Sequence, residues 1–258
     1  MNAAAHGASF SRIQFRLTLA ALLVVVALGW AWLYAAERTM ISMQGEGLLM
    51  RLMIAMMAPG DGLPYLVASA LMWLVMMMAM MTPAALPMML VFRGLERGPD
   101  GEFDSLLFGA GYLVTWSAFA PLAALLQWWL HGQGYLRGHD LAASRGVAGA
   151  ILIAAGLWQL TPLKAACLNH CRGPMGFFLS HWRGGRLGAL RMGLRHGLYC
   201  IGCCWMLMGL MFAGGAMSVV TMAALAAFIL AERVLPDGAW VSRGTGLGLV
   251  VLGGVMIL

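Results

Sequence analysis

From Tyr65 to Phe92 the chain runs without a single charged residue. Wound as an α-helix, that stretch rises about 40 Å, more than the roughly 30 Å hydrocarbon core of a bilayer. Such a segment belongs either deep in a large core or across a membrane, and the remaining sequence decides between the two. Only 10% of the 258 residues are charged and mean hydropathy is +0.83, against about 25% charged in a soluble domain. A soluble form would expose more apolar surface than water tolerates.

Seven apolar stretches are recognisable: Leu17–Ala36, Tyr65–Phe92, Leu106–Leu130, Gly146–Leu163, His196–Ala216, Met217–Leu235 and Gly244–Leu258. The fourth is short, with a helical continuation through Cys171, and the last is short and glycine-rich. Leu17–Ala36 lacks a small-x-small cleavage pattern and carries Trp30, Trp32 and Tyr34 at its end, which reads as a retained anchor. Met43, Met50, Met53 and Met57 share one face of an amphipathic helix, broken by Gly60-Asp-Gly-Leu-Pro64 and expected to lie along the membrane surface. The glycines read mostly as close helix contacts. The expected fold is all-α: a polytopic membrane helical bundle of about seven transmembrane helices (six to seven) plus an amphipathic surface helix. Residues 1–258 form a single integral membrane metal-binding domain.

Lys and Arg set the orientation. With the N-terminus inside, twelve fall on inner segments (Arg12, Arg16, Arg93, Arg97, Lys164, Arg172, Arg183, Arg186, Arg191, Arg195, Arg233 and Arg243). Only Arg38, Arg51, Arg137 and Arg145 fall outside. The net charge of +6 is thus topogenic, and no basic block with interleaved aromatics marks a nucleic-acid partner. The expectation is a multi-pass protein of a bacterial inner (plasma) membrane with a cytoplasmic N-terminus. Lys164 and Glu232 both fall at cytoplasmic helix ends, where they could pair.

All five cysteines lie in two short clusters that face one basic loop. On the fifth stretch His196, Cys200, Cys203, Cys204 and Met211 fall within an arc of roughly 100°, with Met208 at its edge. Before the loop, Cys167, His170 and Cys171 stand at i, i+3, i+4. Thiol, imidazole and thioether are the donors a soft ion such as Cu(I) prefers. Any one of these cysteines alone would pass for a small buried packing residue. Jointly they point to a metal, with the two clusters converging.

Cys167, Cys171, His170 and His196 would make a tetrahedral zinc site. Five thiols with methionines continuing along the stripe favour Cu(I) instead. Lys164, Arg172 and Arg195 border the clusters and could compensate thiolate charge, or simply anchor the loop. On the second stretch Met72, Met76 and Met80 recur every four residues, flanked by Met77 and Met81. They are read as gap-filling core residues or as an accessory metal path, with Met76 and Met80 as weak ligands. Haem ligated by His170 and His196 is the competing cofactor. His6, His131, His139 and His181 read as ordinary polar residues. No phosphate-cradling loop, nucleophile elbow or His-Glu-x-x-His motif is present, so no enzymatic activity is expected. Cys200-Ile-Gly-Cys203 has thioredoxin-like spacing but no α/β pattern around it.

Thr161-Pro-Leu-Lys164, Cys167-Leu-Asn-His170-Cys171-Arg172, His181-Trp-Arg, Gly188-Ala-Leu-Arg-Met-Gly-Leu-Arg-His196 and Gly197-Leu-Tyr-Cys200-Ile-Gly-Cys203-Cys204-Trp205 resemble the bacterial predicted metal-binding integral membrane proteins. That family includes a membrane copper chaperone acting for a tyrosinase. The Met-Met-Ala-Met-Met-Thr-Pro83 segment and Gly111-Tyr112 through Gln127-Trp128 resemble its earlier spans, although Thr82-Pro83-Ala84 stands where the family favours a Pro-Ser pairing. The resemblance implies Cys167, His170, Cys171, His196, Cys200, Cys203 and Cys204 as ligands. It also implies copper delivery to a copper-dependent enzyme. The sequence reading is therefore an integral membrane Cu(I)-binding chaperone, with Met76, Met80, Met208 and Met211 as weak exchange ligands. A haem or thiol redox protein and a zinc-stapled scaffold are the alternatives.

Overall fold

The computed structural model describes residues 2–42, 47–96, 101–235 and 238–258. Met43 and Arg97 lie outside the described residues, as do the side chains of His6, Arg12 and Arg16. The described chain is almost entirely helical: α1 (Asn2–Ser42), α2 (Leu48–Met57), a 3-10 turn (Pro59–Asp61), α3 (Leu63–Leu95), α4 (Gly101–Gly132), α5 (Arg145–Gln159), α6 (Pro162–Arg172), α7 (Pro174–His181), α8 (Arg186–Gly214), α9 (Val219–Val234) and α10 (Gly238–Ile257). A two-residue antiparallel ladder, Leu136–Arg137 with Ala142–Ala143, closes the loop between α4 and α5.

Five helices are long and apolar enough to cross a membrane, over Leu22–Ser42, Leu63–Leu95, Gly101–Gly132, Arg186–Gly214 and Trp240–Ile257. The continuation anticipated after the fourth stretch exists, but α6 leaves α5 at an angle of 67°. Thr161 accepts from the Lys164 amide at 3.2 Å and Pro162 sits in the first turn of α6, so the bend is a helix restart with its own cap. Counting that bent pair as one span gives six, the lower end of the expected range. The remaining stretch, α9, has 16 residues and a rise of about 24 Å, short of a full crossing.

The core sits where α3, α4 and α8 pack together. A methyl group added at Gly193 of α8 would collide with the Phe108 carbonyl of α4, and one at Gly111 of α4 with the Leu190 carbonyl of α8. Small residues thus bring the two backbones together, as expected for helices in lipid. Pro83 and Pro87 lie inside α3. Neither can donate to the helix ladder, and the α3 carbonyls near them take side-chain partners from other helices. The α2 helix buries Met53 and Met56, so its methionine face is turned by one residue from the stripe expected and packs on the bundle. At the same end, Gln127 accepts from Trp73 Nε1 at 2.8 Å and donates to Tyr65 and Ser69, each at 3.2 Å. Tyr65 also meets His131 Nδ1 at 3.1 Å.

Candidate metal centre

The far half of the bundle holds the cysteines. His196, Cys200, Cys203 and Cys204 all point from α8 into the core and are buried, so the arc expected from helical spacing is the inward face. Cys171 of α6 is buried as well, on the side of Cys203 of α8. The Cys203 and Cys204 thiols donate to the Cys200 carbonyl at 3.2 and 2.8 Å. Cys167 is half-buried and abuts α8 at Gly202, where a Cβ would come within 2.8 Å of its sulfur. All five thiols are free. The two sequence clusters therefore do meet, through the bend that turns α6 back onto α8.

His170 does not join them. Its Nδ1 is 2.9 Å from the Ala166 carbonyl, and its ring stacks on Tyr199 with centroids 4.2 Å apart and packs edge-on against His181. Those contacts hold the ring against Tyr199 and His181, outside the hydrogen bonds around the α8 sulfurs. His196 behaves in the opposite way. It is 1% exposed, and neither ring nitrogen has a hydrogen-bond partner. Tyr112 and Phe108 stack beside it at 5.4 and 5.9 Å, and Phe177 meets it edge-on at 5.6 Å. A buried polar group with no partner is costly and rare. The imidazole so left stands on the thiol-bearing face of α8.

Three residues at the centre were not expected from the sequence. Tyr112 Oη lies 3.0 Å from Cys200 Sγ and donates to the Met81 carbonyl at 3.2 Å. Trp116 Nε1 donates to the same sulfur at 3.2 Å. The third is Arg233, assigned above to an inner loop but in fact only 7% exposed. Its Nη2 donates to Cys200 Sγ at 2.8 Å and stands 3.8 and 3.9 Å from Cys203 and Cys204. Its Nη1 donates to the Ala84 carbonyl at 3.2 Å, beside the α3 prolines. The signal was present in the sequence: a Glu-Arg pair closing an apolar stretch is expensive in lipid and marks a functional position.

The neighbouring residue, Glu232, meets Lys164 as anticipated, with Nζ 2.7 and 2.9 Å from the two carboxylate oxygens. Gln159 donates to Glu232 at 3.1 Å, and Ser242 donates to Gln159 at 3.3 Å. Arg172 donates to the Leu235 carbonyl, so it caps the end of α9.

Met72, Met76, Met77, Met80 and Met81 are buried along α3. Met208 and Met211 are buried on α8, where Met208 lines an apolar cavity of about 580 Å³ with Trp73 and Phe212. The α3 methionines run from the Tyr65–Gln127 network to the level where Tyr112 ties Met81 to Cys200. Among the described residues, no three His, Cys, Asp or Glu side chains are gathered as a ready metal site. The guanidinium of Arg233 stands against the sulfurs instead.

No curated protein and no solved structure matches the chain. The family profile described as the copper chaperone PpoB2 does, over residues 70–256. That range holds every cysteine, His196 and Arg233, and most of the chain, which therefore belongs to the PpoB2 copper chaperone family.

Proposed function

We propose that the protein is a multi-pass inner-membrane carrier that binds Cu(I) at its buried thiol cluster and hands it to a copper enzyme. The observation that carries this reading is His196, a fully buried imidazole with both nitrogens unpaired on the helical face that presents three thiols. Cys200, Cys203, Cys204 and Cys171 supply the sulfur donors, Cys167 stands at the margin, and His196 completes the set. Thiolate and imidazole in low coordination number suit Cu(I) and permit transfer ligand by ligand.

Two observations weigh for copper over the alternatives. His170 is turned to Tyr199 and His181, so the two-thiol, two-imidazole zinc set is broken. Aromatic rings pack around His196, and His170 is not on the same buried face to serve as a second axial ligand. The excess of Lys and Arg on the cysteine side places that end of the bundle in the cytoplasm. The α3 methionines, neutral in lipid, then form a path from the opposite face.

Deleting the protein is expected to leave a copper enzyme under-metallated, with activity recovered when external copper is raised. A chaperone increases the supply of an ion its client can bind unaided, so mass action substitutes for it. A strain carrying Cys203→Ser should show the same defect and the same rescue. A defect that persists at saturating copper while the enzyme's metal content is normal would remove this reading in favour of thiol redox chemistry.

A further inference from the structure

Arg233 has no carboxylate partner. Among the described residues the one salt bridge is Lys164–Glu232, and it consumes the nearest acid. A guanidinium cannot shed its charge, so the buried cation is balanced by the sulfur face it touches. Its three sulfur neighbours all lie on α8, and its Nε has no partner. Its Nη groups are held by those sulfurs and by the Ala84 carbonyl, on a long stem rooted in the last turn of α9. The sulfurs it faces are the ones that would ligate copper.

Resting on the Cu(I) reading above, we propose that Arg233 is a built-in monovalent cation that holds the copper seat and is exchanged one for one with Cu(I), so that the cluster admits one positive charge and rejects divalent ions. The charge balance is direct. With Cys200, which accepts from both Arg233 and Trp116, as the one thiolate and the Cys203 and Cys204 thiols keeping their protons, guanidinium leaves as a +1 group and Cu(I) arrives as a +1 ion, so the net charge of the buried cluster does not change. Zn(II) arriving in place of the guanidinium would balance only if a second buried thiol also lost its proton to solvent, a further ionisation in a low-dielectric interior that Cu(I) does not require. On release the guanidinium returns, so departing copper does not leave a bare anionic pocket. Loading and unloading then become a ligand exchange with low net cost in both directions, as a carrier requires.

The test is a competition titration of the full chain, purified in detergent, against a chromophoric Cu(I) chelator, with Ag(I) and Zn(II) as comparison ions and protection of the cysteines from alkylation as a second readout. Arg233→Gln removes the internal competitor and should raise Cu(I) affinity about tenfold, with slower loss to the chelator. It should also let Zn(II) protect the thiols, a protection not expected in the parent protein. Arg233→Lys, which keeps the charge, should stay within about threefold of the parent. The unaltered protein carries its own arm, in which Ag(I) displaces Cu(I) and a large excess of Zn(II) does not. Equal or weaker Cu(I) binding by a monodisperse Arg233→Gln variant overturns the proposal while leaving Cu(I) carriage standing. Zn(II) protecting the parent thiols as readily as Ag(I) does the same, even where the Gln variant fails to fold. Absence of Cu(I) binding by the parent removes both.

Discussion

Glu232 and Arg233 are consecutive residues at the end of α9, and the two charges have opposite fates. Glu232 enters a closed network in which both carboxylate oxygens meet Lys164 and one also accepts from Gln159. Arg233 turns to the other side of the helix and enters an open one. Its Nε is unpaired, its main acceptor is a thiol sulfur, and the adjacent His196 has no partner at either nitrogen. A satisfied buried network specifies structure, whereas a partly satisfied one is costly to keep, and we read it as the proposed metal seat. The difference separates a staple from a seat within two residues of sequence.

The sharpest way to break this comparison is to disable the staple. Lys164→Met leaves a buried carboxylate with no cation and should cost about 3–5 kcal/mol of stability. The double variant Lys164→Met, Glu232→Met should recover most of that loss, because a buried pair replaced by apolar residues is often neutral. Thermal unfolding in detergent reads both, and a double variant no more stable than the single would show that the pair positions something else. The seat should respond in the other currency. Cys200→Ser or Cys203→Ser is expected to weaken Cu(I) binding about a hundredfold, with stability within about 1 kcal/mol of the parent. A large drop in melting temperature without loss of copper would reverse the assignment.

His196→Phe sharpens the contrast further. It keeps the ring stack on Tyr112 and Phe108 while deleting two unpaired nitrogens, so stability should hold or rise by about 1 kcal/mol. Copper affinity should fall about tenfold. A destabilised Phe variant would mean that the imidazole has a structural partner after all. The smallest effect is expected along α3. Met76→Leu and Met80→Leu preserve apolar volume and should alter equilibrium copper binding by less than about threefold, since thioether is the weaker ligand. Copper loss equal to that of the cysteine variants would move the site toward α3.

The periodicity of the fifth stretch was enough to find the inward face of α8. The helical spacing of 167–171 was enough to bring Cys171 to it. It was not enough for His170, because a donor at i+3 is steered by its own neighbours, and the Ala166 carbonyl and Tyr199 ring hold that imidazole. Lys164–Glu232 was legible because two opposite charges in an apolar chain have few places to go. Arg233 was misplaced by loop counting, which treats every arginine near a helix end as topogenic and cannot see which way it turns.

The sequence by itself determined the class of the molecule: long uncharged stretches dictate helices that satisfy their own backbone, and clustered soft donors dictate the chemistry. It also determined which α8 side chains share a face, since that follows from 3.6 residues per turn. The partners across helices were decided only in three dimensions. The 67° turn between α5 and α6 and the close α4–α8 crossing at Gly111 and Gly193 set the distances that join Cys171, Tyr112 and Trp116 to the thiols. So did the direction in which Arg233 leaves α9. Local periodicity carries no information about such distances, because they depend on how small residues let distant segments approach, and it is those contacts that make a row of donors into a site.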